Sequence, residues 1–222
     1  MTGSASAVGV AVHDLVAVMD RLRSPGGCPW DARQTHAGLA TFLLEETYEV
    51  LEALDSGDRQ HLREELGDLL LQVVFHARLA EEHLDDPWGI DEVANDIVHK
   101  LVARHPHVFA GAAVDGAEEV EANWDAIKAA EKQRTSLLDG IPAALPALAR
   151  ADKMLGRVAR SGLEVAVPAD DDSYGARLLA LVAEARAAGV DPEAALRRTT
   201  SALADRIVAA EAAARVVTGT RR

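Results

Sequence analysis

Four carboxylates in two short bursts limit what this chain can fold into more than any other feature. Glu46 and Glu49 lie in Leu44-Glu45-Glu46-Thr47-Tyr48-Glu49, and Glu65 and Asp68 in Glu64-Glu65-Leu66-Gly67-Asp68. Each pair is spaced i, i+3, so on a helix both side chains leave the same face. Phe42, Glu46, Glu49, Val50 and Ala53 share one helical face, and Leu62, Glu65 and Leu69 share another. Carboxylates on a buried apolar face are costly unless something positive meets them. The spacing shows nothing basic interleaved on these faces. It therefore predicts a bound divalent cation with oxygen ligands, Mg²⁺ or Mn²⁺.

Composition agrees with helices. The 222 residues are 49% hydrophobic but only 4% aromatic, rich in Ala, Leu and Val, which favours an all-α bundle over sheets. The net charge of -13 repels nucleic acid polymers and anionic membranes, yet leaves room for a small anion that arrives with its metal. Cys28 is the only cysteine, which rules out an intrachain disulfide and thiol metal sites. No leader pattern and no spanning apolar run is evident, so a soluble, cytoplasmic protein is expected.

Residues 1–10 read as a loose tail. Helices are expected over Val10–Arg23, from near Asp31 to Leu54 with Asp31 or Thr35 as cap, and over Arg59–Glu82 with Leu62, Leu66, Leu69, Leu70, Val73 and Val74 inward. Asp91 can cap a fourth helix through Arg104, closed by His105-Pro106-His107, and a further helix runs from about Glu118 to Arg134. Gly140, Pro142 and Pro146 mark a boundary. Beyond it come helices near 143–160, 174–188 and 192–217, with an acidic loop at 168–173. These features suggest a catalytic segment, 11–134, and a second one, 135–222. Gly67–Ala80 can be laid on Gly175–Ala188 with seven of fourteen positions identical. Ala176 then replaces Asp68, and no second acid burst precedes it, so 135–222 reads as a shortened, non-catalytic repeat.

Two helices giving two carboxylates each can hold Mg²⁺ inside an antiparallel bundle. Mg²⁺ completes its shell with phosphate oxygens and offsets charge on phosphorus, which points to phosphoanhydride hydrolysis. Lys100 and Arg104, i, i+4 on one helix, offer two cations to a polyphosphate. Lys128 stands i, i+4 from Trp124, an aromatic face beside a cation. No Glu-x-x-His occurs, which argues against a di-iron site. Cys28 lacks an evident base, and Trp30 reads as an anchor for its loop.

Together these segments resemble the MazG family of nucleoside triphosphate pyrophosphohydrolases. The matching stretches are Met19–Arg23, Gly27-Cys28-Pro29-Trp30-Asp31 with Gln34-Thr35, the two acid bursts, Arg104-His105-Pro106-His107-Val108-Phe109, and Trp124 through Lys128. The resemblance implies an all-α NTP pyrophosphatase fold, an antiparallel helix bundle interlocked as a homodimer or a higher homo-oligomer. It implies Mg²⁺-dependent cleavage of NTP or dNTP to NMP and pyrophosphate, with housecleaning of noncanonical dNTPs. It maps metal ligands and catalytic acids onto Glu46, Glu49, Glu65 and Asp68, with Glu45 and Glu52 in outer roles. Substrate contacts map onto Lys100, Arg104, Trp124 and Lys128. Two other readings compete: a nucleotide-sensing helical dimer without turnover, and a pyrophosphohydrolase for another phosphoanhydride such as phosphoribosyl-ATP. The intact acid quartet disfavours the first, and the Cys-Pro-Trp-Asp and Arg-His-Pro-His segments disfavour the second.

Overall fold

The computed structural model describes residues 5–131, 135–166 and 173–219. Helices and turns account for all regular structure among the described residues, with no strand. The chain forms two compact units, Met1–Ile127 and Lys128–Arg222.

In the first unit, α1 spans Ala5–Arg23, α2 His36–Ser56, α3 Arg59–Ala80, α4 Ile90–Arg104 and α5 Pro106–Phe109, and α6 (Ala117–Glu131) starts there. Helix α1 begins at Ala5, inside the stretch read as a loose tail, because Ala and Val there carry the helix back a further turn. The Ser24–Pro29 break is a tight reversal. Gly26 adopts φ +78°, and a Cβ on Gly27 would collide with the carbonyl oxygens of Arg21 and Leu22. One 3-10 turn, Asp31–Arg33, leads to Thr35, whose hydroxyl accepts the Gly38 N–H and caps α2. Helix α2 ends at Gly57 in the left-handed region, φ +72°. Asp58 then caps α3 by accepting the Gln60 and His61 N–H groups. So short a connection makes α2 and α3 an antiparallel hairpin.

Met19, Leu39, Val74 and Phe75 form the core where α1, α2 and α3 meet, with Leu15, Val16, Leu22, Leu71, Leu79 and Ile90 packed around it. Only Val74 of the expected inward set on α3 is fully buried. Leu66, Leu70 and Val73 are exposed, while Glu65, Gln72, Phe75, Ala77 and Ala80 point inward. Helix α3 is apolar on more than one face, and α1, α2 and α4 cover the others. At α4 the cap also differs from expectation: the Gly89 N–H donates to the Glu92 carboxylate at 2.8 Å, so Glu92 and not Asp91 closes the helix start.

Helix α6 is continuous across the division between units, about two turns before the boundary expected at residue 134. Residues 132–134 and most of the acidic loop expected at 168–173 lie outside the described residues. In the second unit, α7 (Ala147–Ser161) packs on α8 (Tyr174–Ala187) and α9 (Pro192–Gly219). Arg186 of α8 pairs with Asp152 of α7 at 2.9 Å, its guanidinium lying over Gly156, where a Cβ would come within 2.6 Å. No helix among the described residues is long and apolar enough to cross a membrane.

Candidate active site

The hairpin brings the acid bursts together. Glu46 and Glu49 of α2 and Glu65 of α3 each place a carboxylate oxygen within 4.8 Å of the other two. Glu65 is only 8% exposed; Glu46 and Glu49 are half-buried. Asp68, one turn beyond Glu65, stands outside this close trio, but its charge acts on both Glu46 and Glu65.

The electrostatics are those of acids crowded without full compensation. Burial, a hydrogen bond with Glu49, and the charges of Asp68, Glu49 and Glu65 push the Glu46 carboxyl above its usual range. Burial and the Glu49 charge do the same to Glu65, opposed in part by His61. His61 Nε2 lies 2.9 Å from Glu65 Oε1. This corrects the expectation that nothing basic is interleaved with the acids: His61 precedes Glu65 by one turn, and a histidine is a weaker signal than a lysine because it is charged only when protonated. One imidazole does not balance four carboxylates. The donor set, all hard oxygen, suits a small divalent cation, whose octahedral ligand oxygens lie roughly 3–4 Å apart, close to the spacing already present.

A second cluster gathers the downstream residues. Arg104, at the end of α4, is 9% exposed, and its guanidinium carbon lies 5.4 Å from the Trp124 ring centre. His105 meets the same indole edge-on at 4.9 Å, and His105 and His107 pack at 5.5 Å. Arg104, reached across elements, is thus a cation on the face of Trp124. Lys100 is exposed on α4, and Lys128 is half-buried on α6 at the first residue of the second unit. The His105-Pro106-His107 segment ends α4 and opens α5, as its proline dictates.

Trp30 is only partly an anchor. It is 45% exposed and sets its ring edge-to-face on Phe42, one turn before Glu46, at 5.8 Å. Spacing also gave no hint of the His36–His76 contact or of buried Gln72, since both depend on how α2 packs on α3.

A profile of the MazG nucleotide pyrophosphohydrolase domain matches residues 34–109, the segment that holds all four acids. An uncharacterised 26.1 kDa protein of Streptomyces cacaoi is 48% identical over 95% of this chain and 87% of its own length. A nucleoside triphosphate pyrophosphohydrolase of Mycobacterium tuberculosis is 43% identical over 92% of the chain, which spans 59% of that relative. The Thermotoga maritima nucleoside triphosphate pyrophosphohydrolase/pyrophosphatase MazG is 35% identical over 89% of the chain and 84% of its own length. With both acid bursts inside the matched domain and the likeness running through nearly the whole chain, this protein belongs to the MazG family.

Proposed function

We propose that this chain is a Mg²⁺-dependent nucleoside triphosphate pyrophosphohydrolase that releases NMP and pyrophosphate and clears noncanonical dNTPs. The observation that carries the reading is the convergence of Glu46, Glu49 and Glu65 from two helices onto one point. Glu46, Glu49, Glu65 and Asp68 would hold the cation, with Mn²⁺ as an alternative ion. Such a cation supplies Lewis-acid polarisation of phosphate oxygens and activation of the attacking water. His61 holds Glu65 in place. Arg104, with Lys100 and Lys128, balances charge on the triphosphate, and the Trp124 indole shapes the nucleotide side of the site. The relatives' names favour this activity over the competing readings.

The same reading makes the protein a homodimer. Leu66, Leu70 and Val73 on α3, with Leu44 and Tyr48 on α2, leave apolar surface exposed on the hairpin. Residues 135–222 are taken as a degenerate repeat that supports assembly rather than turnover. Light scattering on the full chain and on a chain cut after residue 135 tests both statements: an unchanged assembly state on truncation removes that role from the second segment.

The activity is tested with a panel of canonical and oxidised nucleotides, assayed with Mg²⁺ and resolved for monophosphate against diphosphate products. Monophosphate with pyrophosphate, abolished by EDTA and restored by Mg²⁺, is the expected result. Binding without turnover across the panel would overturn the reading in favour of a sensor.

A further inference from the structure

The α2–α3 hairpin holds a second polar contact, away from the acids. His36, the first residue of α2, meets His76 of α3 edge to edge, with ring centres 5.1 Å apart and planes 11° apart. Their Nδ1 atoms are 2.8 Å apart. Two imidazole nitrogens at that distance need one proton between them. With none, two lone pairs face each other; with two, the N–H groups collide. Next to this pair, His76 Nε2 and Gln72 Oε1 are buried with no hydrogen-bond partner, one helical turn apart on α3. With its proton on Nε2, His76 leaves Nδ1 to accept from His36 Nδ1–H.

We propose that His36 and His76 are a positioning pair: their one-proton contact fixes the start of α2 on α3, and with it the spacing of Glu46 and Glu49 against Glu65, and a second proton releases it. This rests on reading the acid trio as the active site. His36 precedes Glu46 by ten residues and His76 follows Asp68 by eight, so in an antiparallel hairpin the contact lies roughly 12–15 Å along the helices from the acids. A contact at that reach sets register without touching substrate.

The surroundings oppose the second proton at His76. Burial and then the charge of His36 hold the His76 imidazole below its usual range. His36 sits at the positive end of the α2 dipole. It also borders a cavity of about 400 Å³ lined by Glu82, His83, Asp86 and Trp88. Glu82 is engaged by Arg23 of α1 and Arg78 of α3, and His83 Nδ1 accepts the Asp85 and Asp86 N–H groups. Because His76 is depressed in the folded state, stability tied to it is complete above the ordinary histidine range and is lost as pH falls below it.

Imidazole nitrogen NMR on the full-length wild-type chain reads the contact directly. Titration of His76 below the ordinary histidine range, with the His36 ring signals responding at the same step, is expected. Titration of His76 near about 6.5 with no response at His36 overturns the proposal. Two variants test the positioning role. In His76→Asn the amide oxygen takes the place of Nδ1 and can still accept from His36, but takes no proton. It should keep kcat within about twofold of wild type at pH 8 and lose the fall in kcat that wild type shows below about pH 6.5. His76→Ala, with no contact at all, should raise the Mg²⁺ midpoint for thermal stabilisation and lower kcat, each by about tenfold. A wild-type acid limb in His76→Asn, or a wild-type Mg²⁺ midpoint in His76→Ala, overturns the proposal. Titration and the Mg²⁺ midpoint need no substrate, so they decide the pair even if no nucleotide is turned over, a result that would strike the proposed activity alone.

Discussion

Helices α3 and α8 can be laid on each other residue by residue, and they agree on one side and part on the other. Val74 and Val182 are both buried, at 1% and 2% exposure. Arg78 pairs with Asp20 of α1 at 2.8 Å, and Arg186 with Asp152 of α7 at 2.9 Å. Leu66, Leu70 and Val73 are exposed on one helix, and Tyr174, Leu178 and Leu181 on the other. The side of α3 that meets α2 carries Glu65, Asp68, Gln72 and His76; the matching positions of α8 are Ser173, Ala176, Ala180 and Glu184. Packing on a preceding helix and chemistry toward an acid-bearing partner are therefore separable faces of one helix. The second unit keeps the first and has no acid burst to face on the second.

The sharpest way to break this comparison is to remove acids from each unit. Glu49→Ala or Asp68→Ala should cut turnover by at least about 100-fold, with the helical circular dichroism unchanged, because charge stabilisation at phosphorus is lost. Glu184→Ala, at the α8 position that matches His76, should leave turnover unchanged. A drop in that variant would give α8 a part in catalysis, and full pyrophosphate release by Glu49→Ala would refute the ligand assignment.

The shared side should respond alike in both units. Val74→Ala and Val182→Ala each delete two buried methyl groups and should each cost about 2–3 kcal/mol by chemical denaturation. Only the first should also reduce turnover per folded molecule, since Val74 belongs to the core that holds α3 against α1 and α2. Restoring a ligand to α8 sharpens the point further. Ala176→Asp puts a carboxylate at a buried position with no facing acid helix, so it should cost about 1–3 kcal/mol and bring no second Mg²⁺ site in titration calorimetry. Two bound ions in that variant and one in wild type would mean that α8 retains a usable site.

Some of this was readable from spacing, and some could not be. The i, i+3 acids, the Thr35 cap and the Ser56–Asp58 turn are local, and local chemistry fixed the hairpin that brings Glu46, Glu49 and Glu65 together. The inward faces of α3 were less legible. Leu66, Leu70 and Val73 fit a helical stripe as well as Val74 does, and periodicity does not say which stripe the chain itself covers. Glu92 displaced Asp91 as the closing group at α4 because the helix starts one residue earlier than its first acid. The Arg104–Trp124 and His36–His76 contacts join residues 20 and 40 positions apart, so only the packing of elements reveals them.

The smallest effect concerns Glu82, an acid that joins the first unit's ion pair. Glu82 accepts from both Arg23 and Arg78, and with Glu81 it extends the Arg78–Asp20 pair into a network that joins α1 to the end of α3. The Arg23 hydrogen bond leads the causes that hold the Glu82 carboxyl below its usual range, followed, against some desolvation, by the charges of Arg23 and Arg78. A carboxyl depressed in the folded state contributes stability that is present above its ordinary value and lost as pH falls through the folded one. That window lies below about pH 4.5. The Glu82 side chain is 43% exposed, so solvent screening keeps the contribution under about 1 kcal/mol. Urea melts of Glu82→Gln should therefore fall slightly short of wild type at pH 7 and converge with it near pH 3. A gap that persists at the lower pH would mean that Glu82 acts through packing rather than charge, and the ion pairs of α3 and α8 would then be closer equivalents than the extra acid suggests.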